Sequence, residues 1–202
     1  MFIFGITGGI GCGKSTAARI LENKGFKIID ADKISREITS EKKETIDRIV
    51  LEFGEGILNN DGKIDRAKLA ERVFSNKNDL DTLSMIVHQE VIEEIKRRIE
   101  KYKKQKEKVL VLDVPIPVKD GFLDEADKVI VIWANDKVRV QRLIDRGMEE
   151  DDIKNRINMQ MSKEEYEDFS DCTIDNSTTI EDLEKKILTY VYGELELRGI
   201  KV

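Results

Sequence analysis

Residues Gly8-Gly9-Ile10-Gly11-Cys12-Gly13-Lys14-Ser15 satisfy the spacing G-x-x-x-x-G-K-[ST]. That pattern suits polyphosphate chemistry. The glycines admit a backbone turn that aims successive N–H groups at a phosphate, and a helix starting near Lys14 adds its positive end. Lys14 can reach the β- and γ-phosphates of a nucleotide, while Ser15 offers its hydroxyl to Mg2+. At ordinary residue frequencies the four fixed positions match by accident in about one chain of this length in a hundred. Gly9, Gly11, Cys12, Gly13, Lys14, Ser15 and Thr16 are therefore the candidate ATP contacts, with Cys12 supplying its backbone. Its place at a helix start is expected to lower the thiol pKa and make it redox-sensitive.

Two further acids stand where such a loop needs them. Ile29-Asp30-Ala31-Asp32 ends an apolar run, so its carboxylates emerge at the carboxyl edge of a sheet, where the phosphate loop also opens. Asp32 can act as base or orienter for an attacking hydroxyl, or as an outer ligand to magnesium. The bland alternative is a helix N-cap. An acid about 18 residues past a glycine loop also fits the ribose contact of dinucleotide folds, but Lys14-Ser15 favours the phosphate loop. Asp113, ending a second apolar run ahead of Pro115, is the candidate second acid at the metal.

These groups need a scaffold. β-branched runs at 2–7, 109–114 and 129–133, with weaker ones at 26–29 and 172–174, have the length of strands buried on both faces. Helical patterns occupy 15–23, 31–38, 46–53, 67–74, 80–106, 137–146 and 180–197. Alternating strands and helices imply an α/β fold, a parallel five-stranded sheet with helices on both faces. The interval 38–105 is all helical and too long for one crossover, so it is expected to be a substrate-binding insertion. Asn60-Asp61-Gly62 within it is a tight turn by its residues. The acidic stretch 147–169 carries little core pattern and is expected to be a mobile lid.

The 202 residues suit a single domain with such an insertion, and 40% hydrophobic against 38% charged residues describes a soluble chain. A net charge of -6 gives no global attraction to nucleic acid or to an anionic membrane. Cys12 and Cys172 have neither disulfide-framework nor zinc spacing, which fits a reducing cytoplasm. The apolar start at residues 1–7 is too short for a signal segment or membrane span. Oligomeric state is not legible.

In combination, the string from Gly5-Ile6-Thr7 through Ser15, then Ile29-Asp30-Ala31-Asp32 and Arg36, closely resembles dephospho-CoA kinases. Phe53-Gly54, Asp61-Gly62, Arg66, Leu69, Phe74 and His88 follow that family's middle segment, and Asp113-Val114-Pro115 its third strand. Arg142, Arg146, Arg156 and Gln160 follow its lid region, and Ile174-Asp175-Asn176 its last strand. The resemblance implies a P-loop kinase fold and transfer of the γ-phosphoryl group of ATP to the ribose 3′-hydroxyl of dephospho-CoA. It implies Lys14, Asp32 and Arg142 as catalytic residues, and Arg142, Arg146 and Asn176 as further ATP contacts. Thr7, Asp32, Arg36, His88 and Pro115 are implied at the acceptor, and Ser15 and Asp113 at magnesium.

Arg142 and Arg146, four apart, are expected to share one helical face. Taken alone, both arginines read equally as surface residues, Arg156 and Gln160 as solvated polar positions, and His88 as a structural histidine. The chain departs from the family's His-Pro at His88-Gln89, and from its apolar residues and Glu at Ile116-Pro117-Val118-Lys119, where Lys119 reverses a charge. Asp120 is a candidate replacement acid. These departures leave open a kinase for another nucleotide-like or small-alcohol acceptor; a separate alternative is an ATP-binding regulatory protein without catalysis, against which Lys14, Ser15, Asp32 and the arginines speak.

Overall fold

Short β-branched runs become strands because their side chains find apolar cover on both sides. In the computed structural model, which describes residues 1–74, 76–115, 121 and 123–202, the runs form β1 (Phe2–Thr7), β2 (Lys27–Asp30), β3 (Val109–Asp113), β4 (Lys128–Trp133) and β5 (Cys172–Asp175). Their order in the sheet is β2-β3-β1-β4-β5, with β1 parallel to both β3 and β4, and β4 parallel to β5. Every residue of β1 and β3 is buried. The segment 116–120, with the Pro117, Lys119 and Asp120 departures, lies outside the described residues.

The chain divides into two compact units: Met1–Ile29 with Tyr102–Val202, and Asp30–Lys101. In the first, α1 (Lys14–Asn23) and α9 (Ile180–Leu197) cover one sheet face. Leu183, Ile187, Val191 and Leu195 of α9 recur every four residues and pack with Phe4, Ile6, Ile130 and Ile132. Thr179 caps α9 by accepting the Asp182 N–H at 3.2 Å. The same unit holds α6 (Asp136–Ile144), α7 (Glu150–Asn158) and α8 (Lys163–Glu167).

The last two helices give 147–169 more core than its acidic sequence suggests. Ile153 and Tyr166 are 0% and 2% exposed, so the stretch does carry core residues, one per helix. Four acids at 149–152 open α7, where the helix dipole favours them, and a Ser162–Glu165 capping box opens α8.

The second unit is helical: α2 (Ala31–Glu41), α3 (Lys43–Phe53), a short 3₁₀ turn Glu55–Ile57, α4 (Arg66–Phe74) and α5 (Lys77–Lys104), whose last turn runs into the first unit. Ile49, Ile57, Leu69 and Val73 form its core. The unit starts ahead of residue 38 because α2 packs on α3. Asn59 Oδ1 accepts from the N–H groups of Asp61 and Lys63, and Gly62 takes φ 73°, giving the expected tight turn.

Charge also ties these helices. Buried Glu90 accepts from Lys42 at 2.6 Å, Arg48 at 2.5 Å and Thr45 at 3.3 Å. One turn along α5, Glu94 accepts from Arg97 and Arg98, and Arg98 in turn pairs with Glu37 of α2. Donation from Arg97 is the main cause that pulls the Glu94 carboxyl down to about 2 from 4.5. A folded-state pKa below the unfolded value stabilises above 4.5 and is lost as pH falls through about 2. Glu94→Gln is therefore expected to lose less stability than the parent across that acidic window, measured by urea midpoints at stepped pH. Equal losses would contradict the assignment.

Candidate active site

The loop between β1 and α1 lies at the carboxyl edge of the sheet. β1 ends at Thr7, which is fully buried with no hydrogen-bond partner for its Oγ1 among the described residues. Beyond it, Gly13 takes φ 94°, and a Cβ there would stand 2.2 Å from the Asn176 amide nitrogen. Only glycine fits such backbone and such contact.

Three successive loop carbonyls are held from outside. Arg139 Nε donates to Ile10 C=O at 3.0 Å, an Arg142 Nη donates to Gly11 C=O at 3.3 Å, and the Asn176 amide donates to Cys12 C=O at 2.8 Å. Arg142 also donates to Asn176 C=O at 2.9 Å. In a planar trans peptide the carbonyl and the following N–H point in opposite directions. Holding the Ile10 and Cys12 carbonyls outward therefore aims the Gly11 and Gly13 N–H groups inward, while the Cys12 N–H closes a turn to Gly9 C=O at 3.1 Å. With the positive end of α1 beside them, these donors make an anion cradle.

Strand register adds the charged pair. Ile6 of β1 lies beside Asp113 of β3, which brings that carboxylate next to the loop. Asp113 is 4% exposed and its Oδ1 lies 2.6 Å from Lys14 Nζ. Ser15, on the first turn of α1, is exposed. A buried carboxylate and a hydroxyl are hard oxygen donors, and no cluster of three acids, histidines or cysteines occurs among the described residues. Such a donor set fits Mg2+, which keeps waters and takes its other ligands from phosphate.

The remaining candidates fall elsewhere. Pro115 is half-buried just past β3. Arg146 is exposed two residues beyond the end of α6, in the turn closed by Gly147 at φ 83°, so it lies outside the helix that carries Arg142. Arg156 pairs with Asp152 on the surface of α7. Asn176, 3% exposed, has its side chain engaged with the loop. Asp32, Arg36 and His88 belong to the second unit. Asp30, not Asp32, caps α2, accepting the Lys33 N–H at 2.9 Å, and Asp32 and Arg36 are exposed one turn apart on that helix. His88 is half-buried on α5.

Cys12 reverses its expectation. It is 0% exposed, and burial pushes its thiol above the ordinary value despite the nearby Arg139. In the native protein a thiol reagent is expected to label Cys172 and leave Cys12 unmodified until denaturant is added, read by mass spectrometry. Rapid native labelling of Cys12 would contradict its burial.

Arg139 was not visible as a site residue in the sequence, where an arginine in an amphipathic helix reads as solvated. Its one signal is the four-residue spacing to Leu143: both are buried, on one face of α6.

A parallel sheet whose first strand runs into a glycine loop, a lysine and a helix, with an acid on the neighbouring strand, defines a P-loop kinase. The comparisons narrow the class. The family model for dephospho-CoA kinase matches residues 2–182. A dephospho-CoA kinase of Fusobacterium nucleatum is 40% identical over 188 residues, covering 93% of this chain and 95% of that one. One from Carboxydothermus hydrogenoformans is 39% identical over 93% of this chain and 91% of its own. The solved dephospho-CoA kinase of Campylobacter jejuni superposes with a TM-score of 0.72 at 28% identity, covering 94% of this chain and 95% of that one. The chain belongs to the dephospho-CoA kinase family.

Proposed function

We propose that the protein transfers the γ-phosphoryl group of ATP to the ribose 3′-hydroxyl of dephospho-CoA, giving coenzyme A and ADP. The observation that carries this reading is the built phosphate cradle, three carbonyls pinned outward beside the Lys14–Asp113 pair, in a chain of this family.

The Gly9 to Thr16 segment binds the triphosphate, and Lys14 exchanges its Asp113 partner for β- and γ-phosphate oxygens. Magnesium, held by Ser15 and Asp113, would neutralise phosphate charge. Asp32 accepts the proton of the 3′-hydroxyl as its oxygen attacks the γ-phosphorus and the bond to the β,γ-bridging oxygen breaks, releasing ADP. Arg142 and Arg146 bind the phosphates, and Arg142 stabilises the transferring group. Thr7, Arg36, His88 and Pro115 contribute to the acceptor site, with the helical segment 38–105 supplying most of it and 147–169 serving as lid. Catalysis is positioning and electrostatics.

The substrates are small molecules, with no role for nucleic acid or membrane, and the reaction belongs in the cytoplasm. No helix among the described residues is long and apolar enough to cross a membrane. Mass and phosphorus resonance of the product decide the regiochemistry. A single phosphate added at the ribose 3′ position is expected, and phosphorylation elsewhere on the acceptor would overturn the assignment.

A further inference from the structure

Arg139 is the largest fully buried side chain in the molecule by residue volume, at 2% exposure, among the described residues. A buried guanidinium is costly unless each face and donor is used. Here Nε donates to Ile10 C=O at 3.0 Å, one Nη reaches Asp136 at 3.2 Å, and the other reaches Gln160 Oε1 at 3.2 Å. The guanidinium carbon Cζ lies 4.8 Å from the centre of the Trp133 ring, whose centre is 5.8 Å from that of Tyr166 of α8.

The same Gln160 Oε1 accepts the Ile10 N–H at 2.8 Å. Ile10 is thus gripped on both sides of its backbone: its carbonyl by Arg139, its N–H by Gln160, and the two grips are bonded to each other. A Cβ on Gly9 would stand 2.9 Å from the Arg139 guanidinium and 3.0 Å from Gln160, so the pair sits directly against the loop.

We infer that Arg139 is a positioning residue for the nucleotide phosphates, acting with Gln160 through the Ile10 backbone to aim the Gly11 N–H into the cradle. It touches no substrate. Its fork geometry lets one side chain bond Ile10 and Gln160 together, which lysine, with a point charge, cannot reproduce. Because Gln160 follows α7 and Trp133 contacts α8, the grip also ties this helical pair to the loop.

The inference rests on the loop binding Mg-ATP, so that is measured first, by calorimetry on the full chain without acceptor. Arg139→Leu is then expected to weaken Mg-ATP by roughly 10- to 100-fold, the cost of a misplaced contact, with KM for ATP rising and KM for dephospho-CoA unchanged. Arg139→Lys should recover part of the loss. Gln160→Ala, at a half-buried position that tolerates truncation, should weaken Mg-ATP in the same direction, and the double variant should lose less than the sum because both act on one peptide. If Arg139→Leu does not fold, Arg139→Lys and Gln160→Ala decide alone. A merely structural role would lower the melting temperature and leave the affinity of the folded protein intact. Failure of the parent protein to bind Mg-ATP overturns the phosphate-loop reading and this inference with it; tight binding by the parent and equally tight binding by the variants overturns this inference alone.

Discussion

Lys14→Ala is expected to lower turnover by about 10²- to 10³-fold, the size seen when one preorganised donor is removed from a developing anion. In this structure the Lys14 ammonium already stands at the carboxyl edge, 2.6 Å from Asp113. It therefore needs only an exchange of anionic partners to meet the triphosphate. Removing it also takes the cation from beside a buried carboxylate, which lowers stability as well. Melting temperature measured alongside turnover separates the two. Lys14→Arg keeps the charge but not the compact ammonium, and is expected to restore little activity. Turnover within a few-fold of the parent in Lys14→Ala would contradict the role given to the loop.

Asp32→Asn is expected to lower kcat by about 10²- to 10⁴-fold, the range for losing a positioned proton acceptor. Mg-ATP affinity should hold, because Asp32 lies outside the loop. Asp32 is exposed and the cap of α2 is supplied by Asp30, so any loss of folding stability should be small beside the loss of kcat. That separation makes the variant informative: a loss of kcat without loss of nucleotide affinity or melting temperature assigns Asp32 to chemistry. Unchanged kcat would move the base elsewhere.

The sheet was legible because its central strands β1, β3 and β4 are mostly apolar runs, and β1 at Phe2–Thr7 and α9 at Ile180–Leu197 match their expected limits. The phosphate loop was legible because its geometry demands residue types as well as polarity. Helices α7 and α8 were not, since each anchors through one residue, Ile153 or Tyr166, amid acidic surface. Ser162-x-x-Glu165 was the available sign of α8. Arg139 and Cys12 share a different cause: burial of a polar or ionisable side chain depends on which neighbours the fold brings, here Ile10, Gln160 and Trp133, and no local pattern encodes that. The same packing overrode the helix-start argument for the Cys12 thiol. Arg142 and Arg146 show how one boundary matters, because α6 stops at Ile144 and leaves Arg146 in the turn.

The most direct measurement is ADP formation from Mg-ATP with and without dephospho-CoA. Turnover that depends on dephospho-CoA, and that Lys14→Ala and Asp32→Asn each lower by at least about 10²-fold, is the expected result; Mg-ATP binding with no acceptor-dependent turnover would contradict it.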